Sequence, residues 1–496
     1  MRKPMAKKVL AASLAAAMTM SIAACGDEPA PAASNTPAST DSTQTVDSTD
    51  STDTTSVDDG EEVSEYTVLI DPATGAPYDL GGIEVVVRDW FTSAERAEAK
   101  TDFEEAQYAY QDWIQETYNF KIKQMAISDW ASAPQDFADY AVAPADDKNY
   151  VFTLRDDPAL LSAMTTGLCY DLSTLDCLDF NNSKFTANLL HKQYSKGGKI
   201  YAMYAGYSEA RTGVYFNKRL LKDAGIDPES LYEMQANGTW TWDKFKEMLA
   251  QVQRDTDGDG EPNVWGANCN DSYMTAAAVY CNGGEFIGQD ASGKYVYKLE
   301  DPKTLEGLQF AVDLFNQYWQ PDPVDDEGNV RWDYYKEAFC NGECAFMVED
   351  AYAGQQGQFL SDMEEDFGFV AFPKGPSATD YTNKWSNNPV CIPANYDADR
   401  AWKIAFAWNL YTDPTPGYED SDAWKQSYYN GFRDTKAVDE TIAMLRTKGM
   451  ISFSGMIPDI NEGPDLLWNI GKGAVVSEVV SKIAEQWKGY IDAANK

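Results

Sequence analysis

The sequence predicts an α/β protein built as two lobes. Short β-branched runs alternate with amphipathic helices over most of the chain, and 496 residues are too many for one core. A composition of 44% hydrophobic and 13% aromatic residues can fill cores of that size. The first strand is read at Ile83–Val87, after Gly81 and Gly82, because a short run rich in β-branched residues suits a buried strand. A helix follows with Phe103, Ala106, Tyr110 and Trp113 on one face. Further helices carry Trp242, Phe245, Leu249 and Val252, then Leu305, Leu308, Val312, Phe315 and Trp319. Two more carry Ala401, Ile404, Trp408 and Tyr411, then Val476, Val480, Ile483 and Trp487. Thr241 is placed to cap the second helix, with Asp243 in its first turn. Between the helices, Gly213–Phe216, Cys344–Val348 and Phe367–Ala371 read as strands. In such architectures ligands bind in crevices at the carboxyl ends of strands.

Charge and composition narrow the function. Lys plus Arg number 40 against 79 Asp plus Glu, a formal charge of −39. That excludes a nucleic-acid binder, which needs a basic face, and electrostatic adhesion to anionic lipid. The single histidine, His191, leaves no His-rich zinc site, and a Ser-His-Asp triad would have to use it.

Residues 1–24 read as an export signal: Arg2, Lys3, Lys7 and Lys8 precede an Ala-rich apolar stretch. The stretch ends in Ile22-Ala23-Ala24-Cys25, which resembles a bacterial lipobox, so Cys25 is the expected lipidation site. Gly26–Glu65 holds 15 Ser or Thr and 11 acids without one Lys, Arg or aromatic residue. With Cys25 it is expected to form a disordered, lipid-anchored tether over 25–65, spanning about 35 Å as a flexible coil. Seven cysteines follow Cys25, an odd number that cannot pair completely; Cys169–Cys177 and Cys269–Cys281 are candidate bridges.

A series of motifs then carries a resemblance. Lys199-Ile200-Tyr201-Ala202-Met203, Val214–Leu221 and Ala224-Gly225-Ile226 come first, followed by Trp240–Phe245, Trp265-Gly266 and Asn282-Gly283-Gly284. Ala338-Phe339 with Asn341-Gly342, Ala345–Met347, Gly368-Phe369 with Phe372–Pro376, and Ala401-Trp402-Lys403 complete the order. Over roughly residues 83 to 490 this order resembles the family 1 extracellular solute-binding proteins of carbohydrate ABC importers, the maltose-binding-protein-like group. The resemblance implies a two-lobed, periplasmic-binding-protein-like clamshell with hinge crossings between its α/β lobes. One lobe would comprise 66–208 and 372–413, the other 209–371 and 414–496. Crossings are expected near Tyr207–Arg211, Phe369–Phe372 and Thr412–Thr415.

A sugar offers C–H faces and hydroxyls, so its site needs aromatic platforms and fixed planar hydrogen-bonding groups. Carried over by motif, the candidates are Asp89 and Trp90 after the first strand, and Arg155 with Asp156. Glu209 and Arg211 stand at the first crossing. Asp271 and Tyr273 follow Trp265-Gly266, and Asp350 with Tyr352 follow the Ala345–Met347 strand, where the family usually has Gly and Trp. Trp385, Asn387, Asn388 and Trp468 complete the set. Trp113, Trp242, Trp319, Trp402 and Trp408, at helical spacing, are expected to pack in cores.

Asp255-x-Asp257-x-Asp259-Gly260 resembles the start of a calcium loop, with Glu261 and Asn263 as further oxygen donors. Position twelve is Gly266 rather than Glu, so the full loop pattern fails, leaving a structural calcium or a solvated turn. No catalytic cofactor is expected. The resemblance implies a monomeric lipoprotein on the outer face of the cytoplasmic membrane that captures a carbohydrate, most naturally an oligosaccharide, for a permease. Two alternatives stay open: a secreted glycoside hydrolase, since paired carboxylates suffice for that chemistry, and a binder of a non-sugar solute.

Overall fold

The computed structural model describes residues 66–92, 96–155, 158–361 and 363–496. The expected export signal, Cys25, the tether and Asp156 lie outside these residues. No helix among the described residues is long and apolar enough to cross a membrane.

Two four-stranded sheets organise the chain. In the first, Ile83–Asp89 lies between Phe120–Ala126 and Asn149–Thr153, parallel to both, and Val390–Cys391 adds an antiparallel edge to Asn149–Thr153. Val85, Val86 and Val87 are all buried in succession, as a strand covered on both faces requires. The helix Ala398–Tyr411 lays Ile404, Ala405 and Trp408 into the same core. A second helix, Asp102–Thr117, begins with a complete capping box between Thr101 and Glu104.

In the second sheet, Thr212–Asn217 pairs antiparallel with Phe367–Ala371 and with Cys344–Asp350, and Trp265–Ala267 runs parallel to the latter. Gly368 faces Phe216 across the ladder, and a Cβ there would stand 2.1 Å from the Phe216 ring. The missing side chain is what lets that ring lie on the neighbouring strand. Trp240, Phe245 and Leu249 pack in this core. Thr241 does occupy the N-cap of Trp242–Val252, but its side chain makes no capping hydrogen bond. The C-terminal helix Val476–Ala494 packs against Tyr295–Tyr297 and the helix Pro302–Tyr318.

Two segments that run between the surroundings of these sheets are bonded to each other. Met203 and Val390 exchange backbone hydrogen bonds of 3.1 and 2.8 Å. Further along, the Glu209 amide donates to Asn387 Oδ1 (3.3 Å) and the Arg211 amide to Asn383 Oδ1 (2.9 Å). Residues 203–211 and 383–390 thus run antiparallel from one body to the other. Past Phe367–Ala371, Gly375 donates to the Cys281 carbonyl, Ser377 to Asn282 Oδ1 and Tyr381 Oη to the Met234 carbonyl. These bonds hold the loop against the Trp242 and Tyr280 helices as far as Tyr381. The bodies also touch elsewhere, where the helix Pro158–Thr165 meets the turn Ser454–Met456.

The seven described cysteines are free thiols. Neither candidate bridge, Cys169–Cys177 or Cys269–Cys281, forms.

Candidate ligand-binding cleft

Strand direction decides where the cleft lies. The carboxyl ends of Asn149–Thr153 and Cys344–Asp350 deliver Arg155 and Asp350 to one chamber of about 690 Å³. Trp130 and Arg155 come from the first body, Tyr273 and Asp350 from the second, and Arg211, Lys384, Ser386 and Asn388 from the connecting segments. A chamber of about 300 Å³ adjoins it through Arg211 and Asn388, with Glu209 and Asn387 on its wall. Another of about 520 Å³ adjoins it through Ser272, and includes Asp271 and Trp468.

Period-two alternation sorts most of the return segment. Trp385 and Asn387 are buried and absent from the central chamber's wall, whereas Lys384, Ser386 and Asn388 are half-buried and line it, together with the buried Asn383. Trp385 therefore points away from that chamber. It is 6% exposed, its Nε1 donates to the Leu445 carbonyl (3.4 Å), and its indole fills the space a Cβ on Gly449 would need. Its role is packing, contrary to the platform expected from sequence. Asn387 is likewise committed, accepting from the Glu209 amide and donating to Ser208 Oγ (3.1 Å).

Arg211 ties the cleft together. Its Nε donates to the Ser386 carbonyl (2.5 Å), and its terminal nitrogens lie 3.4 Å from Glu209 and 3.8 Å from Asp350. Asp350 also accepts from Thr212 Oγ1 (2.9 Å). Burial raises the Asp350 carboxyl, and the Arg211 charge opposes that rise. Beneath it, Glu349 is 2% exposed; its carboxylate accepts from Tyr335 Oη (2.7 Å) and the Asp350 amide (2.8 Å). Burial first, then the Asp350 charge, push Glu349 up to about 7. Asp271 rises to about 6 through burial and the nearby Asp322.

On the first body, the Arg155 guanidinium lies over the Trp130 indole at 4.1 Å. Trp130 is a site residue the sequence reading missed; it lies in the loop after Phe120–Ala126, and its only signal was a tryptophan in a polar stretch. Lys384, Ser272 and Glu462 were missed too. Glu462 lines the central chamber with one carboxylate oxygen buried and unpartnered, an acceptor suited to a ligand hydroxyl.

Other candidates stand apart. Asp89 is fully buried and organises its own loop, accepting from the amides of Phe91 and Thr92, from Thr92 Oγ1 and from Gln124 Nε2 (2.7 Å). A short acid after a strand reads equally well as a turn former, and here that role prevails. Trp90 packs edge-on against Phe91, and neither it nor Tyr352 lines the three chambers. His191 is buried on Phe180, its pKa lowered to about 4 by burial, and is not a cleft residue.

The Asp255, Asp257 and Asp259 carboxylates gather with oxygens within 4.8 Å of one another. Asp255 is held low by the amides of Gly260 and Gly258. Asn263 turns its Oδ1 to the Thr256 and Asp257 amides and its Nδ2 to Asp257, and the Glu261 amide donates to Asp259. Three hard oxygen ligands suit calcium, which takes six to eight.

This fold is similar to that of the cyclic α-maltosyl-1,6-maltose binding protein of Arthrobacter globiformis. The two share 16% identity over 84% of this chain and 97% of that one, with a TM-score of 0.53. It is also similar to UgpB of Mycobacterium tuberculosis in complex with glycerophosphocholine, at 17% identity over 78% and 95% of the chains and a TM-score of 0.51. A sugar transporter protein of Rhizobium etli in an open conformation gives 14% identity over 83% and 98%, and a TM-score of 0.51. All three likenesses concern the two-lobed α/β fold. The sequence itself goes further: residues 131–421, more than half of the chain, match the bacterial extracellular solute-binding proteins, and to that non-enzymatic family of binders this chain belongs.

Proposed function

We propose that this protein captures a carbohydrate, an oligosaccharide, between its two lobes and delivers it unchanged to the permease of an ABC importer. The observation that carries this reading is the make-up of the central chamber. Aromatic faces of Trp130 and Tyr273 stand with the planar charged groups of Arg155, Arg211 and Asp350 around 690 Å³. Aromatic rings meet sugar C–H faces and planar groups meet hydroxyls, so this is sugar-binding chemistry. The likeness to the cyclic α-maltosyl-1,6-maltose binding protein of Arthrobacter and to the sugar transporter protein of Rhizobium supports it.

The lobes divide, on this reading, at the connecting segments: 66–208 with 383–413, and 209–382 with 414–496. Cys25 carries the lipid that holds the protein outside the membrane, and the three aspartates of 255–259 hold a structural calcium. The protein acts as a monomer. The glycerophosphocholine in the UgpB complex keeps a non-sugar solute as the alternative outcome.

A thermal-shift screen tests the reading, because a ligand bound only by the folded state raises the melting temperature. The matching oligosaccharide should raise it, make the protein more compact in solution scattering, and be recovered intact. Tyr273→Ala should weaken binding about tenfold, roughly 1.4 kcal/mol. A shift with polyol phosphates or peptides and none with any sugar would overturn the carbohydrate assignment.

A further inference from the structure

The cavity of about 520 Å³ beside Ser272 has a wall unlike that of the central chamber. Its aromatic surface is two exposed indoles, Trp332 and Trp468, and its charged groups are Asp271, Asp322 and Lys472. Acids are plentiful on a chain of formal charge −39, so acidity alone marks nothing. Two carboxylates set in one cavity with two indoles are a narrower observation.

The carboxylates are not satisfied by the protein. Among the described residues neither accepts a hydrogen bond or forms an ion pair, and Lys472 on the same wall is exposed. Asp271 is half-buried at the start of the helix Asp271–Tyr280, and a Cβ on Gly471 would stand 2.2 Å from its Oδ2. Burial and then the Asp322 charge raise Asp271 to about 6, and Lys472 offsets only part of that rise. Asp322 is raised as well, by partial burial first. A cation in the cavity would relieve both groups.

The indoles are held in place. Trp332 follows a braced loop: Val324 and Val330 form a bridge, and the Asp325 carboxylate accepts from the Glu327 and Asn329 amides at 2.9 and 2.8 Å. Trp468 rests on Gly463, where a Cβ would come within 3.1 Å of the indole. A metal ion would use the carboxylate oxygens and leave the indoles without a role. An organic ammonium ion uses both, its charge meeting the carboxylates and its face-on attraction to an indole adding to them. The volume suits a small organic solute.

We propose that this cavity binds a small organic ammonium ion, with Asp271 and Asp322 as its counter-charges and Trp332 and Trp468 as its aromatic walls. The proposal concerns this cavity alone. It needs no contact with a carbohydrate in the central chamber and stands whether or not a sugar binds there.

Calorimetric titration of the protein with choline and with putrescine tests it, each beside a neutral counterpart of the same shape, dimethylbutanol and butanediol. At least one of the two cations should bind, and its neutral counterpart should bind about tenfold more weakly or not at all. Asp271→Asn, which keeps the shape, should weaken the cation by about tenfold and leave the neutral counterpart unchanged. Trp468→Ala should weaken the cation by a similar factor. Asp322→Asn and Trp332→Ala, at more exposed positions, replace them if either variant melts well below wild type. Failure of both cations to bind the wild type would overturn the proposal. So would equal affinity for a cation and its neutral counterpart, or cation binding that survives the loss of the carboxylate charge.

Discussion

Glu349 should make the stability of this protein fall between mildly acidic and mildly basic pH. Its carboxyl is buried beside Asp350 and rises from 4.5 to about 7. A carboxyl raised in the folded state keeps its proton there when the unfolded chain has already lost it. The associated stability is therefore fully present below pH 4.5 and is lost progressively as pH rises to about 7. The full linkage amounts to roughly 3 kcal/mol at about 1.4 kcal/mol per pH unit. Coupling to Asp350 divides that between two groups, so about 1–2 kcal/mol is expected from Glu349 itself. Glu349→Gln removes the charge and keeps the shape. Its carbonyl can accept from the Asp350 amide, and the Tyr335 hydroxyl can rotate to accept from the new NH₂ group. Urea denaturation at pH 5, 6, 7 and 8 should show the variant close to wild type at pH 5 and more stable by about 1–2 kcal/mol at pH 8. Parallel stability–pH curves for the two proteins would refute the reasoning, since the Glu349 charge would then carry no penalty.

Two further outcomes follow from the ends of the argument furthest from the cleft. Cys25→Ala should leave the protein unlipidated and released or held as precursor; a variant that fractionates with membranes as the wild type does, with no lipid on the native cysteine, would remove the anchor. In protein purified with calcium, a chelator should lower the melting temperature, and Asp257→Ala should abolish that sensitivity; identical melting curves with and without chelator would leave the three aspartates as a solvated turn.

Periodicity made the fold legible. The strand expected at Ile83–Val87 declared itself by its β-branched Ile and Val residues and runs on to Asp89, and Phe367–Ala371 by a short apolar run, lying where it was expected. The core tryptophans Trp242, Trp319 and Trp408, set at helical spacing, are buried. Side-chain direction was harder to read. Trp385 and Asn388 stand three residues apart in one extended segment, and only the phase of the alternation, fixed by the pairing with Glu209 and Arg211, sends one to the core and the other to the cleft. Nothing local records that phase. Asp89 failed for a related reason: an acid after a strand can serve a ligand or its own loop, and the choice depends on Gln124, thirty-five residues away. Trp130 and Glu462 come from a loop and a helix end with no periodic pattern, so tertiary placement alone reveals them.

The connecting segments are also walls of the cleft, and this joins recognition to movement. Arg211 bonds to the Ser386 carbonyl on the opposite segment, approaches Glu209 on its own and Asp350 on the second sheet, and faces two chambers. Rotation of one lobe about residues 203–211 and 383–390 would change the geometry of those contacts, because their partners lie on both sides of the bend. On the proposed division of the lobes, a ligand that engages Arg211 or Lys384 interacts with the hinge itself. Only a difference in interaction free energy between open and closed forms can shift their balance. Placing charged ligand contacts on the hinge provides such a difference directly, whereas a site confined to one lobe would have to create it through new contacts with the other.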